Sequence, residues 1–375
     1  MLKDRIVAYP YDIELASIVR HSNLIQNTEI AGIVSPNGWG FCNSDASRAD
    51  GGIPLGITVE SSFENISLPY DTVLFSCSDN NLHLENTCLM KIEEAIKTKR
   101  NIICTRYLDD DFLYYIKRSC ENNNNYFRYF SPQKGNFKNV LDMNEPEYLY
   151  PINVPIILIL GLAEKTQKFE IQLALREQLI KRKYKISQIG SRSYCELFDF
   201  HSFPDFMYMA PVSESQKVIL FNHYIKSLEV SENPDILIIG VPGGILPIND
   251  YFPNRFGIMA YEVSQSIQPD ITIMSTLYED YKKEYFESMN TLIKYKFGFE
   301  IDYYNLSNTQ FDWINAKEYR KYIYNTIDYK HIEKKKSKYG DLCTPVYNLL
   351  NGSDINIMAD DIISRLQGFA NVQSI

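Results

Sequence analysis

No C-x-x-C pair occurs in this chain of 375 residues. Its seven cysteines, Cys42, Cys77, Cys88, Cys104, Cys120, Cys195 and Cys343, are scattered singly. Structural zinc sites and iron–sulfur clusters draw on closely spaced cysteines, so the pattern points away from a metal centre. An odd number of thiols without such pairs fits a reducing compartment. His21, His83, His201, His223 and His331 show no metal-ligand spacing and no arrangement that suggests a catalytic triad. Positive charge is in deficit: at −9, with a pI near 5.2, the chain lacks the basic excess of a non-specific nucleic-acid binder. No apolar run approaches the length of a membrane span, and the acids in MLKDRIVAYPYDIELASIV come too early for a signal peptide. The expectation is a cytoplasmic protein with no membrane partner, no nucleic-acid partner and no bound metal.

What is present reads as α/β. Hydrophobic residues make up 45% and charged residues 23%, the proportions of a soluble globular chain, and the length suits two domains. Apolar runs at 5–8, 29–35, 71–77 and 101–105 alternate with helical patterns at 13–25 and 82–99. That rhythm predicts a parallel sheet. Residues 106–150 are polar and aromatic, and Pro151 and Pro155 mark a boundary. The alternation then resumes, with strands at 154–160, 185–189, 235–240, 270–275 and 298–304. Helices are expected at 168–182, 214–230, 257–267 and 278–296, with a further one from about Asn315. Beyond Lys334-Lys335-Lys336 a tail with one short helix at 354–366 is expected. The domains are therefore read as 1–150, 151–335 and a tail, 336–375.

The most informative stretch is IILILGLAEKTQKFEIQLALREQL, Ile156 to Leu179. A buried strand, a short loop and a helix follow one another in the order that builds a phosphate-binding loop. Such a loop needs glycines so that backbone N–H groups converge on phosphate, a lysine for the β/γ-phosphates and a hydroxyl for Mg²⁺. Gly161 and Lys168 stand in place, whereas Gln167 replaces the second glycine and Phe169 the Ser or Thr. Lys168 opens a helix, where an anion is favoured, though lysine is also common on exposed first turns. Gly243-Gly244 follow the strand DILIIG, whose end carries Gly240 where phosphoryl transfer calls for a metal-holding acid. These glycines serve either a ligand or a close passage of the chain past the loop. Arg192, between two serines after a strand, suits bidentate recognition of phosphate or carboxylate, or equally a surface salt bridge. Cys195 has no partner that marks a nucleophile and reads as a packing thiol. In the first half, Ser35, Asn37, Trp39 and Asp45 form a polar loop suited either to a small ligand or peptide or to turn chemistry alone.

Several segments together, VAYPYDIELASIVRHS, IVSPNGWG, EKTQKFEIQLALREQLIKRKYKISQIGSRSYCELF, FHSFPDFM and VPGGILPINDYFPNRFGI, resemble the clostridial peptide-maturation-system proteins. These are encoded in clusters for ribosomally synthesised, post-translationally modified peptides (RiPPs), bacteriocins among them. The resemblance implies a Rossmann-like domain followed by a degenerate P-loop NTPase-like domain similar to dethiobiotin synthetase. That layout is shared with a D-glutamate N-acetyltransferase. It also implies Gly161, Lys168, Gly243 and Gly244 as nucleotide-loop positions, with Arg192 added from its place after a strand. It transfers no catalytic residue. The leading expectation is an accessory protein that binds an anionic ligand or the precursor peptide between its domains, alongside other maturation proteins of its cluster. The rival is a diverged nucleotide- or acyl-CoA-dependent transferase or ligase acting on the peptide; a pure scaffold is the third reading.

Overall fold

In the computed structural model, residues 3–76, 78, 84–130 and 147–371 are described. Cys77 and His83 lie outside them. The chain divides into two compact units, Met1–Gln133 with Glu196–Asp199, and Lys134–Cys195 with Phe200–Ile375.

The first unit is a six-stranded sheet built from β1 (Asp4–Tyr9), β2 (Thr28–Val34), β3 (Val59–Glu60), β4 (Thr72–Phe75), β5 (Asn101–Cys104) and β6 (Phe127–Tyr129). Its order is β3-β2-β1-β4-β5-β6 and every pairing is parallel. This is the strand order of dinucleotide-binding Rossmann sheets. Helices α1 (Ile13–Arg20), α2 (Leu84–Lys97) and α3 (Asp110–Asn122) flank it. Val7, Val73, Phe75, Ile102 and Cys104 face Ile92 and Ile96 of α2 and Ile116 and Cys120 of α3. The polar and aromatic stretch after residue 106, for which no element was expected, thus holds a helix that begins where Asp109 accepts the N–H of Phe112. A buried ion pair anchors the loop beyond β2: the Arg20 guanidinium donates Nε–H and Nη2–H to the two Asp50 oxygens, both at 2.7 Å. A side chain on Gly52 would run into that guanidinium, so glycine is required there.

The second unit is a seven-stranded sheet in the order β15-β12-β11-β7-β10-β8-β9. Its strands are β7 (Ile156–Gly161), β8 (Ile186–Gly190), β9 (His201–Ser202), β10 (Ile236–Gly240), β11 (Ile271–Thr276), β12 (Tyr303–Leu306) and β15 (Val346–Tyr347), all parallel to their neighbours. A hairpin, β13 (Thr309–Phe311) with β14 (Tyr324–Thr326), stands apart. Helices are α4 (Lys168–Lys181), α5 (Glu214–Glu232), α6 (Ile258–Ser266), α7 (Lys283–Phe297), α8 (Trp313–Tyr319), α9 (Tyr329–Lys336) and α10 (Gly352–Asn371). The run IILILG is apolar without alternation because both faces of β7 are covered. Ile156, Leu158 and Leu160 pack with Phe221 of α5, Val263 of α6 and Ile293 of α7. Ile157 and Ile159 pack with Ile171 and Leu175 of α4 and Met358 and Ile362 of α10.

Three local readings are corrected. The helix expected from Tyr278 begins at Lys283, because the Tyr278 N–H bonds Thr309 O at 2.7 Å and holds the segment out of the helix. The strand expected from Gly298 begins at Tyr303, since the Ile301 N–H is taken by Asn290 Oδ1 at 2.8 Å. The segment read as a tail from 336 is no bare tail: its described residues, 336–371, supply the edge strand β15 and the helix α10, which covers one face of the sheet. Among the described residues no helix is long and apolar enough to cross a membrane.

Removing one partner of the Arg20–Asp50 pair strands a charge in the interior, which costs about 3–5 kcal/mol. Asp50→Ala is therefore expected to lower the stability of the first unit by that amount, read as a shift of the denaturant midpoint; a surface pair such as Lys294–Glu300 should show almost no shift.

Candidate functional site

Strands β7, β10 and β8 of the second unit end in Gly161, Gly240 and Gly190. In an open α/β sheet this carboxyl edge is where ligands bind, and β7 is where the chain reverses direction, passing to β8 and β10 on one side and then to β11 on the other. The glycines are needed for space. A Cβ at Gly161 would meet Thr166 and Lys168, one at Gly240 would meet the Gln172 amide, and one at Gly190 would meet Cys195 and Phe200. The room they create is taken by the protein's own side chains.

The loop after β7 is pinned from within. Leu162 N–H bonds Ser275 O at 2.8 Å, the Ser275 hydroxyl donates to Thr166 O at 2.5 Å, and the Thr166 hydroxyl donates to Ala163 O at 3.0 Å. Gln167 then adopts a left-handed backbone, φ 58° and ψ 30°, as the glycine it replaces would. A non-glycine residue gives up about 1–2 kcal/mol there. Its side chain offsets part of that cost by accepting the Asn308 N–H at 2.7 Å.

Lys168 sits at the centre. Its ammonium donates to Ala163 O at 2.9 Å, Glu164 O at 3.4 Å and Gly243 O at 2.6 Å, so all three N–H bonds point at backbone carbonyls. The lysine thus ties its own loop to the Gly243 turn. It is 4% exposed and has no carboxylate within ion-pair distance among the described residues. Burial lowers its pKa to about 7; Glu164 and Glu170 oppose the shift, and the Arg192 charge adds to it. Gln172, one turn further along α4, donates to Lys168 O at 3.0 Å and to the Ser191 hydroxyl at 3.2 Å, closing the space above Gly240 and Gly190. Phe169 carries a ring, not a hydroxyl, at the first turn of α4. It is buried, edge-on to Tyr194 at 5.6 Å and 6.3 Å from the Phe200 ring.

The second loop is equally built. Gly243 has φ 78°, and a side chain on Gly244 would overlap the Asn254 amide. Asn254, 2% exposed, donates Nδ2–H to Leu162 O and Leu246 O, both at 2.9 Å. It opens a run of four left-handed residues, Asn254, Arg255, Phe256 and Gly257. Such strain persists only where the surroundings over-determine it. Here Tyr322 Oη accepts the Asn254 N–H at 3.0 Å, and Lys296 Nζ donates to Ile245 O at 3.1 Å and Phe256 O at 3.4 Å. The run leaves Arg255 and Phe256 exposed. Arg255 lies near Tyr208, whose hydroxyl burial pushes up to about 12 against the arginine's charge.

The structure therefore brings Gly161, Lys168 and Gly243 together through one ammonium, places Gly244 under Asn254, and sets Arg192 close enough for its charge to act on Lys168. Arg192 is half-buried; its carbonyl accepts the Cys195 S–H at 3.0 Å, and Cys195 is fully buried. Sequence reasoning missed Gln172, Asn254 and Ser275. The Asn-x-x-Gly spacing ahead of α6 was the single available signal.

In the polar loop of the first unit, Ser35 and Asp45 bond to backbone groups. Ser35 donates to Tyr11 O at 2.9 Å. Burial opposes ionisation of Asp45, but the N–H groups of Leu55, Ser47 and Gly56 and the Ser47 hydroxyl outweigh it and hold the carboxyl at about 2. The β1–α1 turn, where a Rossmann sheet would bind pyrophosphate, carries Asp12 and Glu14 instead of glycines, with Asp12 capping Glu14 N–H at 2.9 Å. Among the described residues no cluster of His, Cys, Asp and Glu is arranged to hold a metal.

Neither a family model nor a curated protein matches the chain. A solved structure does. The chain is similar to a DUF1611 family protein from Anabaena variabilis, with a TM-score of 0.57 and 10% identity over 96% of this chain and 100% of that one. At that identity the likeness is one of fold.

Lys168 also sets a pH dependence. Its folded pKa, about 7, lies below its ordinary 10.5, so between those values the unfolded chain holds a proton that the folded chain has released. Stability contributed by this group should rise with pH across that window, by up to about 1.4 kcal/mol per pH unit. Denaturation midpoints of wild type and Lys168→Met from pH 6 to pH 9.5 should show the difference between them drifting in favour of wild type as pH rises; a constant difference would refute the assignment.

Proposed function

We propose that this protein is an accessory binding factor in the maturation of a ribosomally made peptide, recognising an anionic group of a small ligand or of the precursor peptide at the carboxyl edge of the second sheet without turning over nucleotide. The observation that carries the reading is the Lys168 ammonium: buried, beside Arg192, and paired with no carboxylate among the described residues. In its protonated form, favoured below about pH 7, this desolvated group attracts an anion strongly. To reach it, a ligand must displace at least one of the carbonyls that now accept from Nζ, so binding and opening of the Gly243 turn are coupled. Three further residues support the absence of hydrolysis. Gln167 supplies no glycine N–H cradle, Phe169 buries a ring where the metal hydroxyl belongs, and Gly240 offers no carboxylate. Phosphoryl transfer depends on that electrostatic machinery.

Calorimetry with Mg²⁺–ATP, coenzyme A and the precursor peptide tests the reading. A charge-assisted contact is worth roughly 1.5–3 kcal/mol, so Lys168→Ala or Arg192→Ala should weaken the bound ligand about ten-fold or more. Mass spectrometry of the peptide made with and without the gene should show a change in yield or modification. Steady ATP turnover lost in Lys168→Ala, or acyl transfer from an acyl-CoA, would replace this reading with the transferase; unaltered binding of every ligand in both variants would leave a scaffold.

A further inference from the structure

A second charged recess opens at the carboxyl end of β11, on the opposite side of β7 from Gly240. It encloses about 310 Å³ and is lined by Tyr278, Glu279, Asp280 and Gln310, by His331, Lys334 and Lys335 of α9, and by Lys338 in the turn beyond. Those four basic positions follow the spacing i, i+3, i+4, i+7, which lays them along one side of a helix and the turn that continues it. Like charges so placed repel one another unless something neutralises them. The recess also holds two carboxylates, of which one is neutralised by a lysine and the other keeps its charge, leaving three lysines against two acids. Asp280 pairs with Lys335 at 2.9 Å, and Glu279 accepts the Trp313 indole N–H at 3.0 Å. Lys335 is itself buried, with its ammonium 3.8 Å from the centre of the Tyr278 ring. That leaves the side chains of His331, Lys334, Lys338 and Gln310, which make no hydrogen bond or ion pair among the described residues.

We infer that this recess binds a phosphate-bearing small molecule, held by Lys334 and Lys338 with His331 and Gln310 as further polar contacts. Its volume suits a small ligand, and it lies on the sheet edge where ligands of such folds bind. Lysine ammoniums serve phosphate as point charges. In a chain of net charge −9 this concentration of cations focuses anions on one spot. The site is independent of Lys168 and does not rest on the function proposed above.

Trp313 provides the readout, because its indole is bonded to Glu279 on the wall of the recess. In full-length Trp39→Phe protein the emission of Trp313 is followed while inorganic phosphate and then pyrophosphate are added, with calorimetry in parallel. Saturable binding is expected, stronger for pyrophosphate, weakened about ten-fold or more in Lys334→Gln/Lys338→Gln and unchanged in Lys97→Gln, an exposed lysine of the first unit. Both lysines are exposed, so the double variant should fold as wild type does, which its circular dichroism checks. Equal affinity in wild type and the double variant, absence of saturable binding by both methods, or binding of an oligonucleotide without binding of pyrophosphate would each overturn the assignment.

Discussion

A single ammonium group holds the carboxyl edge of the second sheet together. In a working phosphate loop the lysine and the backbone N–H groups converge on a ligand; here the lysine converges on carbonyls of its own loop and of the Gly243 turn. Much else follows from that choice. The glycines at 161, 240 and 244 make room for Lys168, Gln172 and Asn254. Gln167 tolerates a left-handed backbone because Asn308 binds its amide, and the left-handed run at 254–257 is held by Tyr322 and Lys296. The space at this edge is filled by the protein's own side chains.

The two sheets differ in what their carboxyl edges offer. The Rossmann-ordered sheet places carboxylates, Asp12 and Glu14, at the turn where a dinucleotide phosphate would meet a helix N-terminus. Helix dipole and acidic side chains satisfy each other there, which removes the incentive for an anion to bind. The second sheet places buried or clustered cations along its edge: Lys168 with Arg192 on one side of β7, and the α9 lysines on the other.

The central strands were legible because strands buried on both faces must be apolar throughout, and IILILG and ILIIG are. The edge strands β3, β6 and β15 were not, since two or three residues carry no periodicity and owe their conformation to a neighbour. Gly161 and Lys168 could be picked out from spacing alone. Gln172, Asn254 and Ser275 could not: as sequence they are ordinary polar residues, and only the approach of segments distant along the chain turns them into plugs and ties. The α9 lysines had looked like a charge run before a tail. Their helical register on a recess became visible once Tyr278–Asp280 lay opposite them.

The position of β7 bears on how the chain folds as it is made. This strand emerges first among those of its sheet, yet both neighbours, Ile236–Gly240 and Ile271–Thr276, lie far downstream, and α10 covers one of its faces only at Gly352–Asn371. Non-local pairing of this kind is slow because the loop entropy is lost before any contact compensates it. Through that interval IILILG is an uncharged, β-prone hexamer with nothing to pair against, the pattern most apt to aggregate. Lys165 and Lys168 shortly after it, and Asn153 and Pro155 just before, flank the hexamer with charge and a strand breaker. The lysine that closes the finished site also guards the nascent strand.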